Sequence, residues 1–401
     1  MNVKRSISIV AIVIGLYLLG SVFSGRLNQN TTNPDLASTS RTEVSISQSQ
    51  VQTQKPTEHV IQSSREFPTI IPSTLEPTIL PTLEPTPESV EAGVSRSNPL
   101  TLGSGMIFKT WAITVTGVLR GEEAQQAITK ANQFNTPPDE GYEYILATVQ
   151  LRNISDKQEA QNAAFAIDIR VTGERNVLYN RASVVTPRKI DGELYSTGTT
   201  EGEIAFQVPK DERNLMFFIG ETLAFDVNAR RFVAIDTDAH VEPNPALGQI
   251  TATDKGVRRD TPASRGITIM TDNWEIALLE IVRGDEAANL ITQANQFNEP
   301  AKTGTEYIAI KIHARYIGIR ESDTAKEIDS SSFKITGEQN VVYEKPSIVA
   351  PQPVIQAYLF PGGGTEGWVV LSVAKDERKL VVIFKPVFSF SNQETRFLSI
   401  E

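Results

Sequence analysis

From Trp111 onward the chain is written twice, and that duplication confines the fold to one that a segment of roughly 140 residues can complete by itself. Trp111-Ala-Ile-Thr-Val115 returns as Trp274-Glu-Ile-Ala-Leu278, and Arg120-Gly-Glu-Glu-Ala124 as Arg283-Gly-Asp-Glu-Ala287. Ala131-Asn-Gln-Phe-Asn135 is identical to Ala294-Asn-Gln-Phe-Asn298, as Glu143-Tyr-Ile145 is to Glu306-Tyr-Ile308; all share the offset of 163 that separates Trp111 from Trp274. Thr172-Gly-Glu174 and Asn176-Val-Leu-Tyr179 return one residue later, as Thr336-Gly-Glu338 and Asn340-Val-Val-Tyr343. One more step brings Thr200-Glu-Gly202 and Lys210-Asp-Glu-Arg213 back as Thr365-Glu-Gly367 and Lys375-Asp-Glu-Arg378. Two one-residue adjustments over such a span leave no room for chance. The repeats run over 99–236 and 262–401. The 237–261 segment between them holds Pro243, Pro245, Gly248 and Gly256, a linker composition that suggests spacing or bivalent binding.

Within each unit the period is mostly two. Ile145, Ala147, Val149 and Leu151 alternate with more polar neighbours, as do Ile308, Ile310, Ile312 and Ala314, which reads as a strand with one buried face. Further strands are expected at 111–118, 165–172, 203–208, 215–219 and 232–235, with Lys210–Arg213 as a hairpin connection. One helix interrupts them: Ala124, Ala127, Ile128, Ala131 and Phe134 recur at helical spacing, with Asn135 expected in the left-handed conformation that closes it and Pro137 forbidding continuation. Each unit is therefore expected to be an immunoglobulin-like β-sandwich with one inserted short helix. Trp111 and Trp274, each opening a strand, are expected to pack in or near the core.

The first hundred residues are different. Lys4 and Arg5 precede Ser6–Gly25, twenty residues without a charge, and this order sends the downstream chain outward across a membrane. Its length favours a retained anchor (residues 1–26) over a cleaved signal, whose cut would fall near Ser24. Residues 27–98 turn to Ser, Thr, Gln and Pro, with Leu75-Glu-Pro-Thr78 repeated as Leu83-Glu-Pro-Thr86; such a stretch is expected to be a disordered, extended stalk. The fold class expected for the whole is thus all-β: two tandem sandwiches behind an apolar helix and a stalk.

The order of these motifs, ending in Pro361-Gly-Gly-Gly-Thr-Glu-Gly-Trp-Val369, resembles a bacterial domain-of-unknown-function family grouped with the immunoglobulin-like immunoprotective extracellular domains of mycobacterial secreted antigens. Repeat one departs from the late motif, reading Ser196-Thr-Gly-Thr-Thr-Glu-Gly-Glu-Ile204. The resemblance covers both units and not the first hundred residues. It implies an exported β-sandwich and transfers no functional residue.

Chemistry is scarce. Among 401 residues there is no cysteine, which removes disulfides, thiolate metal sites and cysteine nucleophiles. The 38 Lys and Arg against 48 Asp and Glu give −10, a balance that argues against nucleic acid, and each repeat carries 14 against 18. Of three histidines, His59 falls in the stalk, His240 in the linker and His313 on the polar face of a strand. Gly362–Gly364 lacks the lysine of a phosphate loop and reads as a tight turn. Glu201 and Glu366 recur, but one acid per unit falls short of a calcium site; a hydrogen bond holding the loop is expected. No catalytic, metal or cofactor residue is assigned. The expected function is non-catalytic binding outside the cell. The partner would be a protein, a glycan or an envelope polymer, with the membrane reached through the N-terminal helix. The alternatives are a carboxylate-dependent hydrolase of the glycosidase type and a purely structural spacer.

Overall fold

The computed structural model describes residues 91–222, 229–343, 345–387 and 392–401. The apolar segment at 6–25 and most of the expected stalk lie outside the described residues, among which no helix is long and apolar enough to cross a membrane.

The strand pattern yields two β-sandwiches. In the first, β1 (Gly105–Ile107), β2 (Trp111–Arg120), β3 (Tyr142–Asn153) and β8 (Thr199–Pro209) form one antiparallel sheet in the order β1-β2-β3-β8. The facing sheet runs β10-β9-β5, from β5 (Ile167–Thr172), β9 (Met216–Glu221) and β10 (Arg230–Ala234). Three two-residue strands, β4 (Gln161–Asn162), β6 (Val177–Leu178) and β7 (Glu193–Leu194), lie between them in sequence, and α1 (Glu122–Ala131) links β2 to β3. Trp111, Ile113, Val115, Val149 and Leu151 face Ile169, Val171, Phe217 and Ile219 across the core.

The second copy repeats this with β11 (Ile269–Met270), β12 (Trp274–Arg283), α2 (Asp285–Ala294), β13 (Thr305–Tyr316), β14 (Lys326–Asp329), β15 (Phe333–Thr336), β16 (Val342–Tyr343), β17 (Gln356–Leu359), β18 (Gly364–Ala374), β19 (Val381–Phe384) and β20 (Arg396–Ser399). Its sheets are ordered β11-β12-β13-β18 and β16-β15-β19-β20. Even the bulge in the second strand recurs, between Val115 and Gly117 and between Leu278 and Glu280.

Three expectations need correction. First, β3 buries both faces over its first half: Ile145 and Ala147 enter the core, while Tyr144 and Leu146 are covered by Ala124 and Ile128 of α1. The inserted helix lies on the outside of the sheet and converts a half-buried strand into a fully buried one.

Second, residues 91–98 are folded and are not stalk. Gly93 accepts from the Phe232 N–H at 2.7 Å, and Leu100 bridges Val233 in parallel. The same lead-in precedes the second copy, where Gly256 accepts from the Phe397 N–H at 2.7 Å and Ala263 bridges Leu398. Gly93-Val-Ser-Arg96 and Gly256-Val-Arg-Arg259 are a short first motif of the repeat, so each unit begins about six residues before the boundary that composition suggests. Both glycines sit at positive φ, 85° and 66°, where a side chain is strained.

Third, the segment between the copies is not a loose tether. Ala239 and Leu247 are buried, the Val241 N–H donates to Arg96 O, and the Thr253 N–H donates to Met270 O. The copies belong to one compact unit, and a seam joins them. β6 of the first, whose next residue Tyr179 stays bridged to Val171 of its own sandwich, also pairs with β17 of the second, Val177 opposite Leu359 and Leu178 opposite Tyr358, giving the sheet β14-β17-β6. Phe218 and Phe232 from the first copy meet Phe360 from the second in a triangle of rings 5.4–6.0 Å apart. Each such ring removed from water contributes roughly 1.5–3 kcal/mol before entropy is counted.

Arg96, 2% exposed, closes the seam. Its guanidinium lies 4.1 Å over the Phe360 ring and donates to Asp323 Oδ1 at 3.0 Å, to Ser322 O at 2.9 Å and to Asn176 Oδ1. Removing a guanidinium so placed strands Asp323 and two acceptors. The Arg96→Ala variant is expected to lose roughly 3–5 kcal/mol and to split a single calorimetric unfolding peak into two as the sandwiches uncouple. One unshifted peak would mean the copies hold together without this contact.

Candidate functional site

The repeated motifs are the natural candidates for a site, and nearly all of them are consumed by the fold. Glu212 of Lys210–Arg213 is buried; its Oε1 accepts from the Arg175 N–H at 2.9 Å and its Oε2 from the Tyr179 hydroxyl at 2.5 Å. A Cβ on Gly173 would lie 2.5 Å from that carboxylate, so Thr-Gly-Glu, Asn-Val-x-Tyr and Lys-Asp-Glu-Arg are one interlocked device. The second copy repeats it: Glu377 accepts from the Gln339 N–H at 3.1 Å and from the Tyr343 hydroxyl, against Gly337. Arg120 and Arg283 tie in the next motif, bonding Glu143 and Glu306 at 2.6 and 2.8 Å and reaching the backbone oxygens of Glu212 and Glu377. Gly121 and Gly284, at φ 60° and 63°, start the helices, and the Tyr144 and Tyr307 hydroxyls close on the carbonyls of Thr136 and Glu299.

The identical Ala-Asn-Gln-Phe-Asn pentapeptides break this rule. Asn132 ends α1 with its backbone extended, at φ −155°, and its side chain accepts from the Phe134 N–H at 3.1 Å. Asn135 does not take the left-handed conformation expected of it. Instead its amide closes the helix from outside, donating to Ile128 O at 2.9 Å and to Val185 O at 2.8 Å while accepting from the Val185 N–H at 2.8 Å. Asn298 makes the same three bonds, to Ile291 and Val349.

Phe134, read from its spacing as part of the buried helix face, lies past the helix end and points to solvent. It is 83% exposed and its counterpart Phe297 is 82% exposed. Beside each stands a second exposed apolar residue, Val185 or Val349, held by the same asparagine. The result is a rigid aromatic tip on each sandwich, framed by four or more hydrogen bonds that fix its backbone while the ring touches water. An exposed ring on a pre-ordered loop loses little conformational entropy when it is covered, which is the property of a contact anchor.

The other residues singled out by the sequence are structural or scattered. Trp111 and Trp274 are buried at the sandwich ends. Glu201 pairs with Arg188 at 2.8 Å, whereas Glu366 lies 3.5 Å from both Lys311 and His313. Gly202 and Gly367 admit the close approach of the 188–190 and 353–355 segments, where a Cβ would meet backbone. His240 is exposed and its ring lies 3.0 Å from Asp238 O; His59 lies outside the described residues. Among the described residues no three acids or histidines converge on a metal-sized space. Gly362–Gly364 does form a turn, but a Cβ on Gly363 would collide with Asn176 O of the first copy, so the turn serves the seam.

Fold and motifs together define a tandem β-sandwich protein. Residues 101–230 match the family described as Domain of unknown function (DUF4352), which meets the expected resemblance for the first copy. Among solved structures, the ycdA protein of Bacillus subtilis aligns at 9% identity over 33% of this chain and 38% of its own, with a TM-score of 0.27. The yjhA protein of Bacillus subtilis aligns at 11% identity over 34% of this chain and 99% of its own, with a TM-score of 0.24. An uncharacterized beta-sandwich protein of Clostridium difficile aligns at 12% identity over 38% and 100%, also with a TM-score of 0.24. No curated protein matches in sequence.

The buried Tyr–Glu pairs set a pH limit. Burial, then the hydrogen bond to Glu377 and its charge, pushes the Tyr343 phenol up to about 12, and Tyr179 is raised for the same reasons. An unfolded phenol titrates near 10. The stabilisation from the protonated Tyr343 phenol is therefore complete below pH 10 and is lost as pH rises from about 10 to about 12, while that from Tyr179 persists to higher pH. Urea midpoints should fall across that window, and the Tyr179→Phe/Tyr343→Phe variant should fall less there, from a lower starting point. A flat alkaline profile would refute the assignment.

Proposed function

We propose that this is a non-catalytic recognition protein that works outside the cytoplasm, using Phe134 and Phe297 as paired contact anchors. The observation that carries this reading is that Phe134 and Phe297, in identical pentapeptides, are the aromatic side chains of the repeated motifs that the fold leaves more than four-fifths in water. Two equivalent anchors on one compact unit suit a partner that presents its own sites more than once, a protein assembly or a glycan or envelope polymer, because the second contact forms at high effective concentration. Export is supported by Lys4 and Arg5 ahead of the uncharged Ser6–Gly25 run. The non-catalytic reading is supported by the use made of buried acids: Glu212 and Glu377 hold loops, and Glu394 accepts from Thr271 and from Asn273.

The test is retention of the full-length chain on isolated cell-envelope fractions, separated into protein and polysaccharide. Wild-type protein should be retained by one of them. Phe134→Ala or Phe297→Ala should weaken retention by roughly tenfold, the scale of a truncated aromatic anchor, and the double variant should abolish it. Equal retention of the double variant would sink the reading. Neither residue is buried, so the variants should melt with the wild type.

A further inference from the structure

The seam between the sandwiches is head-to-tail: one surface of the first copy meets a different surface of the second. An interface of that kind leaves its two halves unused at the ends of the pair. Because the copies are homologous, the unused halves can be read residue by residue.

On the first copy, the surface that meets its neighbour carries Asn176, Leu178, Phe218, Phe232 and Arg96, all described above. The second copy presents the same surface with no neighbour among the described residues. Asn340 takes the place of Asn176, and both are left-handed, at φ 64° and 60°. Val342 replaces Leu178 and is exposed, where Leu178 is buried. Ile383 and Phe397 replace Phe218 and Phe232 and are only half-buried. Arg259 replaces Arg96, donating to Asn340 and to Gly337 O at 3.1 Å. Beside it lies an open hollow of about 360 Å³ lined by Arg259, Pro262, Lys379 and Val381 together with Asp260, Glu338 and Glu401. In the first copy the corresponding ground, around Arg96 and Met216, is occupied by the second copy's Ser322, Asp323 and Ala325.

The opposite half, on the first copy, likewise has no neighbour among the described residues. Tyr195 stands where the second copy has Phe360, and is 68% exposed where Phe360 is fully buried. Thr197 stands for Gly362 and keeps its left-handed backbone, φ 71° against 93°. The loop at 155–160, equivalent to the one that supplies Asp323, carries Asp156 and Glu159, both exposed. An aromatic ring at one end therefore matches an arginine and an apolar strand at the other, and the two acids have Arg259 to pair with in a hollow that carries both signs of charge.

We propose that copies of this chain associate head-to-tail by repeating the internal seam between molecules. Val342 pairs beside Glu193 of the next copy, as Leu178 pairs beside Tyr358 within the chain. Tyr195 lies under Arg259, and the 155–160 loop enters the hollow. Such contacts build an open row or, if the rotation per copy closes, a ring.

The absence of cysteine makes the test direct. Full-length chains carrying Glu193→Cys or Val342→Cys are mixed and oxidised: the mixture should give covalent dimers, and the doubly substituted chain a ladder of dimers, trimers and longer products. Replacing Glu193→Cys by Gln126→Cys, on the exposed face of α1, should give at least tenfold less product. Sedimentation of the wild-type chain should show concentration-dependent association, weakened roughly tenfold by Arg259→Glu. Monomer at every concentration, or cross-linking no better than at Gln126, would overturn the proposal. Because these positions lie away from Phe134 and Phe297, failure here leaves envelope retention untouched.

Discussion

A carboxylate withheld from water sets the terms for each half of the molecule. Glu212 and Glu377 sit at the turn between the last long strand of one sheet and the central strand of the other, and a buried carboxylate is tolerated only if its oxygens are occupied. The occupants, a tyrosine hydroxyl and a backbone N–H, come from the segment after the first strand of the second sheet. One polar contact thereby fastens the two layers at a corner where apolar packing runs out. It also dictates glycine at 173 and 337, and it draws Arg120 and Arg283 toward the same turn. The repeated motifs are therefore mainly a record of how the sandwich is closed, which is why an exposed phenylalanine inside one of them stands apart.

The seam explains why the copies differ where they do. Phe360 and Gly362 belong to the side of the second sandwich that receives the first, and their equivalents in the first, Tyr195 and Thr197, are more polar or bulkier. In the first copy's late motif, Tyr195 and Thr197 stand at the end of the pair, where the second copy has the seam residues Phe360 and Gly362.

Much of this was readable in the chain itself. The long strands and the helix follow from period-two and period-3.6 spacing, because their cores demand apolar side chains at those intervals. Phe134 was misplaced by the same logic: it continues the helical spacing one turn beyond the point where Asn132 and Asn135 divert the backbone, and periodicity carries no information about where hydrogen bonds end a helix. Gly93-Val-Ser-Arg96 was hidden because four residues are too few to stand out beside a polar, proline-containing stretch, although its copy at Gly256–Arg259 was there to be matched. The seam was invisible for a deeper reason. Phe218, Phe232 and Phe360 look like ordinary core residues, and nothing local distinguishes a ring packed within a domain from one packed between two.

The chain enters the folded body through Gly93 and Arg96, and this has a mechanical consequence. Any pull on the polypeptide upstream of Glu91 meets the Gly93 bond at the edge of the first sandwich and then, three residues on, the junction between the sandwiches, before it reaches either hydrophobic interior. Arg96 is thus the first fastener between the two halves to feel the load: traction would peel the pair apart before it unravelled a long strand, so the molecule would yield by hinging open while both halves stayed folded.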